Sequence, residues 1–130
     1  MRFEDLTAKI IGGAYRVHNR MGFGFLESVY EKCLMIQLRR GGLNVEAHPP
    51  IAIQYEGEPV GEFFPDLLVE REVVVELKAA RRLAPAHEAQ LVHYLVAMGK
   101  EIGLLINFGE RRVEVKRKHR DPPRPDEDQP

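Results

Sequence analysis

A chain of 130 residues, 44% of them hydrophobic, is long enough to bury one core, and a formal net charge of −1 is not the basic excess of a protein that coats nucleic acid. The single cysteine, Cys33, excludes an internal disulfide and a cysteine-only metal site. Charges within Met1-Arg2-Phe3-Glu4-Asp5 stand where a signal peptide needs an apolar core, and no apolar run approaches the roughly 20 residues of a membrane span, so the expectation is a cytoplasmic protein.

Leu6 to Arg20 reads as an amphipathic helix, with Leu6, Ile10, Ala14 and Val17 at helical spacing and Asp5 placed to cap it. Gly12-Gly13 weakens that helix or permits close approach by another backbone. After the break at Met21-Gly22-Phe23-Gly24 a second helix runs from about Leu26 to Arg40, ended by Gly41-Gly42. Asn44 to Tyr55 reads as a strand interrupted by Pro49-Pro50, and Val60 to Val69 as the next. Val73 to Ala79 follows after a short charged turn, Glu70-Arg71-Glu72. A third helix from about Ala86 to Met98 separates it from Ile102 to Phe108, an unbroken apolar run typical of a buried strand. Arg112 to Lys116 reads as the last strand.

The order α-α-β-β-β-α-β-β predicts an α/β fold: a mixed sheet of about five strands flanked by helices, with the third helix as a crossover to a parallel neighbour. One domain is expected over 1–119. The segment 120–130, with Pro122, Pro123, Pro125 and Pro130 among acids, reads as a disordered tail.

The hairpin around Arg71 is where chemistry concentrates. A turn centred there sets Asp66 opposite Glu76 and Phe64 opposite Lys78, so Asp66, Glu76 and Lys78 share one face. Two carboxylates at about 5 Å repel by roughly 3 kcal/mol at an effective dielectric near 20. A divalent cation would relieve this, with both acids as hard oxygen ligands. The residues alone equally admit a solvated face on which Lys78 pairs with the acids, and a two-residue turn would make the acids diagonal neighbours.

Glu27 and Tyr30 share a face of the second helix, where Glu27 by itself reads as a first-turn acid favoured by the helix dipole. Gln90 and Tyr94 share a face of the third helix, with His87 on roughly the same side; both can hydrogen-bond a phosphate or a water, or belong to an ordinary polar stripe. His18 precedes the Gly22–Gly24 loop and could approach the acids, although a lone histidine near a helix end more often reads as a capping or core partner. His48, His93 and His119 show no ligand spacing, and Glu31, Glu70 and Glu72 read as surface acids. Basic pairs at Arg39-Arg40, Arg81-Arg82 and Arg111-Arg112, and the run Lys116-Arg117-Lys118, could hold a phosphate backbone if the fold gathers two of them beside the acids.

Pro65-Asp66, nine residues, then Glu76-Leu77-Lys78 resembles the PD-(D/E)xK signature of the restriction-endonuclease-like superfamily of metal-dependent nucleases. Gly24-Phe25-Leu26-Glu27-Ser28-Val29-Tyr30 resembles the motif of the GxxExxY family within that superfamily. Gln90-Leu91 with Tyr94-Leu95, and Gly103 to Gly109, extend the resemblance over about Leu6 to Lys118. It implies a restriction-endonuclease-like core and a Mg²⁺- or Mn²⁺-dependent phosphodiesterase acting on DNA or RNA. Asp66, Glu76 and Glu27 would hold the metal, Lys78 would act in catalysis, and Gln90 and Tyr94 would face the metal and the substrate phosphate. The rival reading is a non-catalytic protein that keeps the fold and works as a homodimer or with a protein or nucleic-acid partner.

Overall fold

A computed structural model describes residues 2–120. The chain forms α1 (Phe3–Met21), α2 (Glu27–Arg40), β1 (Val45–Ala47), β2 (Ile51–Tyr55), β3 (Glu58–Phe63), β4 (Leu67–Val69), β5 (Val73–Lys78), α3 (Pro85–Met98), β6 (Ile102–Phe108) and β7 (Val113–His119). The tail expected from residue 120 lies, past Arg120, outside the described residues. Among the described residues, no helix is long and apolar enough to cross a membrane.

Five strands make the main sheet in the order β1-β4-β5-β6-β7, as the expected strand number requires. β5 and β6 are parallel and joined through α3; the other neighbours are antiparallel. A helix-length connection is what lets β6 return alongside β5 in the same direction.

The strand boundaries differ from expectation at the prolines and at the end of β7. Asn44 to Tyr55 is not one strand: it divides at His48-Pro49-Pro50 into β1, in the main sheet, and β2, in a separate two-stranded ribbon with β3. Val60 to Val69 divides likewise at Phe64-Pro65. Prolines supply no N–H to a ladder, so the pairing changes partner where they stand. β7 also runs to His119, past the expected Lys116.

Alternation along the strands sorts the core into two layers. Leu67, Val69, Val73, Val75 and Leu77 pack with Leu6, Ile10, Ala14 and Val17 of α1 and Leu34 and Leu38 of α2. Leu68, Val74 and Leu105 turn the other way, against Leu91 and Leu95 of α3. Gly13 sets the closeness of the two N-terminal helices, because a β-carbon there would lie 2.9 Å from a Leu38 methyl; its neighbour Gly12 faces open space. The two-residue period places Asp66 on the same side as Leu68, and Glu76 and Lys78 on the same side as Val74. The start of β4 and the ends of β5 and β6 therefore form one end of the sheet, and the acids sit there.

Candidate active site

The β4–β5 hairpin fixes the acids. Its partners are Leu67 with Val75, Leu68 with Val74 and Val69 with Val73, so the turn is centred on Arg71 as expected. Glu70 and Arg71 both adopt left-handed backbone angles, φ 53° and 54°, and the Glu72 N–H donates to the Val69 carbonyl at 3.0 Å. The turn is held from outside. Arg71 reaches both carboxylate oxygens of Glu46 at 2.6 and 2.8 Å, and Lys100 Nζ donates to the Arg71 carbonyl at 2.9 Å.

One step beyond the ladder, Asp66 and Glu76 interlock. The Asp66 N–H donates to Glu76 Oε1 at 3.3 Å, and the Leu77 N–H donates to Asp66 Oδ2 at 2.8 Å. Burial, and then the negative charge of Asp66, push the Glu76 carboxyl up to about 8, while the Lys78 ammonium acts in the opposite sense. Phe64 is not opposite Lys78: the ladder begins at Leu67, and Phe64 is exposed before it. Pro65 cannot extend the pairing, so the expected register ends at Asp66. Lys78 instead neighbours Asn107 of β6.

The structure places Glu31 and His48 beside Asp66. One donor atom from each of the three lies within 4.8 Å of the others, and His48 Nε2 is 2.6 Å from Glu31 Oε1. His48 sits where the chain leaves β1, in a left-handed conformation at φ 51° that a residue before proline seldom adopts. Its N–H donates to the Asp66 carbonyl at 3.1 Å, which holds it there. Two carboxylates and an imidazole, with a third carboxylate on Glu76 next to Asp66, are a donor set that fits a divalent cation.

Glu27 is outside that cluster. It is the first residue of α2, and Leu26, Glu27 and Ser28 are all exposed. Glu31 lies one turn further along the same helix face, and its side chain is only 14% exposed. The spacing of Glu27 to Glu31 was the one signal the sequence offered; His48 carried none. Tyr30 is fully buried and structural: its hydroxyl donates to the Gly22 carbonyl and accepts from the Phe25 N–H, and its ring stacks on Phe108 at 4.5 Å.

Gln90 and Tyr94 are joined to each other, Gln90 Nε2 donating to the Tyr94 hydroxyl at 3.2 Å. The Tyr94 ring stacks on Phe63 at 3.8 Å, three residues before Asp66. Among the described residues neither makes a hydrogen bond to Asp66, Glu76 or Lys78. His87 Nδ1 accepts from the Ala84 N–H and caps α3, and His18 Nε2 lies 2.7 Å from the Gly109 carbonyl, so both hold the frame. A depression of about 780 Å³ between α1 and α2 has no carboxylate in its lining, which includes Lys9, Arg16, Arg20 and Arg40. The clustered acids Asp66, Glu76 and Glu31 lie at the open sheet end instead.

A family model for the PD-(D/E)XK nuclease superfamily matches residues 4–118. No curated protein sequence matches significantly. Among solved structures, one described as the crystal structure of SSO0001 is similar with a TM-score of 0.56 at 18% identity, over 74% of this chain and 52% of that one. This chain thus spans about half of that protein's length, and the likeness is one of fold. An alkaline exonuclease, LHK-Exo, from Laribacter hongkongensis has a TM-score of 0.47 at 16% identity, over 92% of this chain and 83% of its own. LHK-Exo in complex with dAMP gives the same score and identity over 83% and 76%.

Proposed function

The chain belongs to the PD-(D/E)XK nuclease superfamily, and on that premise we propose that it is a metal-dependent nuclease that hydrolyses phosphodiester bonds in DNA or RNA. Within the superfamily, Gly24, Glu27 and Tyr30 support a place in the GxxExxY family. The observation that carries the reading is the interlocked Asp66–Glu76 pair, with Lys78 on the same face and Glu31 and His48 alongside.

Asp66 and Glu76 are the proposed core of the metal site, as the signature implies, and Glu31 takes the part of the helical acid for which Glu27 was expected. Burial that raises the Glu76 carboxyl disfavours an ionised pair without a counter-cation, and a divalent ion would supply that compensation. The oxygen donors suit Mg²⁺ or Mn²⁺, and the His48 imidazole tilts the preference toward Mn²⁺. A divalent ion bound there would lower the pKa of an attacking water and polarise the phosphoryl oxygen. Lys78 places a fixed positive charge beside the acids, where it can orient that water and offset the negative charge built up in the transition state. Gln90 and Tyr94 offer a donor and a hydroxyl on α3 to orient the substrate phosphate.

The test is cleavage of labelled single- and double-stranded DNA and RNA with Mg²⁺ or Mn²⁺, comparing wild type with Asp66→Ala and Lys78→Ala purified identically. Cutting that needs the metal and disappears in both variants is the expected result. Cutting that survives in both would sink the assignment of the site. No cutting by wild type, and no bound Mn²⁺, would favour a partner-dependent protein that keeps the fold.

A further inference from the structure

Two arginine pairs far apart in sequence meet at the same end of the sheet. Arg81 and Arg82 follow β5, and Arg111 and Arg112 lie in the turn between β6 and β7; together they line a cleft of about 430 Å³. The cleft is not an accident of flexible loops, because two devices fix its walls. The first is Asn107, a fully buried polar residue of β6. Its Oδ1 accepts from the Ala80 N–H at 2.9 Å, and its Nδ2 donates to the Ala80 carbonyl at 2.8 Å and to Glu114 Oε1 at 3.2 Å. A buried amide satisfied in this way binds the residue just before Arg81 to β6 and β7 at once. The second is Gly109, whose N–H donates to the Arg112 carbonyl at 3.1 Å. A β-carbon on Gly109 would lie 2.8 Å from that same carbonyl oxygen, so the turn closes this tightly only around glycine.

The charge in the cleft is positive and accessible. Glu114 is engaged by Asn107, and Glu110 approaches Arg81 at 3.7 Å in a pair that is mostly exposed, which water and salt weaken. Among the described residues Arg82, Arg111 and Arg112 have no salt bridge to a carboxylate. Guanidinium groups hold phosphate oxygens through two N–H donors at a time. Arg81 is three residues beyond Lys78, at most about 11 Å along the chain. We propose that this cleft is a phosphate-backbone site, holding a neighbouring phosphate of the strand whose scissile bond lies at Lys78, Glu76 and Asp66. The class of ligand rests on the nuclease reading; the cleft itself does not.

The test measures binding with the metal withheld by EDTA, using anisotropy of a fluorescein-labelled oligothymidine strand across a range of salt. Arg82→Ala/Arg112→Ala should bind roughly tenfold more weakly at low salt, and the slope of log affinity against log salt should fall by about 0.7 for each phosphate no longer neutralised. Arg82→Lys/Arg112→Lys should recover part of the affinity. Lys9→Ala/Arg16→Ala removes the same charge from the α1–α2 depression and should bind like wild type. The proposal is overturned if wild type does not bind, if the arginine-to-alanine variant binds like wild type, or if the Lys9/Arg16 variant is weakened as much. Should the expected pattern appear while wild type cuts nothing with Mg²⁺ or Mn²⁺, the cleft stands and the nuclease reading fails.

Discussion

Asp66 and Glu76 hold each other through the backbone: the amide of Asp66 serves the Glu76 carboxylate, and the amide that follows Glu76 serves Asp66. Each acid is thus oriented by the strand that carries the other. The geometry is set before any ligand arrives, at the expense of bringing two carboxyl groups together in a half-buried place.

That expense should be visible in pH dependence. Glu76 has its carboxyl pushed from an ordinary 4.5 up to about 8, so between these values the folded protein keeps a proton that the unfolded chain releases. The stability it contributes is complete below 4.5, declines as pH rises and is gone by about 8, with a slope of no more than about 1.4 kcal/mol per pH unit. Urea midpoints of cation-free protein should follow that decline, and Glu76→Gln should flatten it. Mn²⁺ affinity should move the other way over the same window, because the cation takes the ionised carboxylate. A wild-type affinity that is level across the window would contradict the role given to Glu76.

Glu31 and Glu27 offer a direct contrast on one helix. Glu31→Gln should weaken Mn²⁺ binding, read by calorimetry, by about tenfold or more, as loss of a metal-site carboxylate does. Glu27→Gln should change it by less than about twofold, since that side chain points from an exposed first turn. The reverse order would restore Glu27 as the third acid.

Asn107 predicts a stability effect without any ligand. Asn107→Leu keeps the branched outline and heavy-atom count of the side chain but leaves the Ala80 N–H and carbonyl without their partners. Chemical denaturation should show a loss of about 2–4 kcal/mol. A loss below about 0.5 kcal/mol would mean that the buried amide does not hold the Arg81 segment.

The turn at Glu70 should accept improvement. A non-glycine residue in the left-handed region costs about 1–2 kcal/mol, and glycine gives back about 0.5–1 kcal/mol through the freer unfolded chain. The Glu70 carboxylate forgoes little on removal, since it only accepts a long hydrogen bond, 3.4 Å, from the Asn44 N–H. Glu70→Gly should therefore raise stability by about 0.5–1 kcal/mol, read as a higher urea midpoint. Arg71→Gly should not, because it also removes the ion pair with Glu46.

How far the sequence could be read follows from which interactions are local. The hairpin was legible because alternation and a short charged turn set its register, and that register put Asp66 against Glu76. The helices were legible from Leu6, Ile10, Ala14 and Val17 and their counterparts in α2. The division of the ribbon from the main sheet was not, because Pro49-Pro50 shows that a ladder is interrupted but not which partner comes next. Glu31 and His48 were hidden for a related reason. They meet Asp66 only when α2 and the end of β1 pack around the same sheet end, and neither spacing nor polarity of the separate segments carries that meeting. The arginine pairs were visible as pairs; their convergence depended on Asn107, an uncharged residue within an apolar run.

The ribbon of β2 and β3 leaves the sheet after Ala47 and returns before Leu67. Its neck is pinched where the His48 N–H meets the Asp66 carbonyl, while its far turn, at Glu56 and Gly57, is exposed. A closed excursion of this kind is a handle. A fluorophore or an inserted tag at Glu56–Gly57 would ride on the outer end without entering the register of the five main strands, yet the ribbon's inner end carries Phe63 against Tyr94. A label there would report on the ribbon and on its Phe63–Tyr94 contact with α3 from a position away from Asp66 and Glu76.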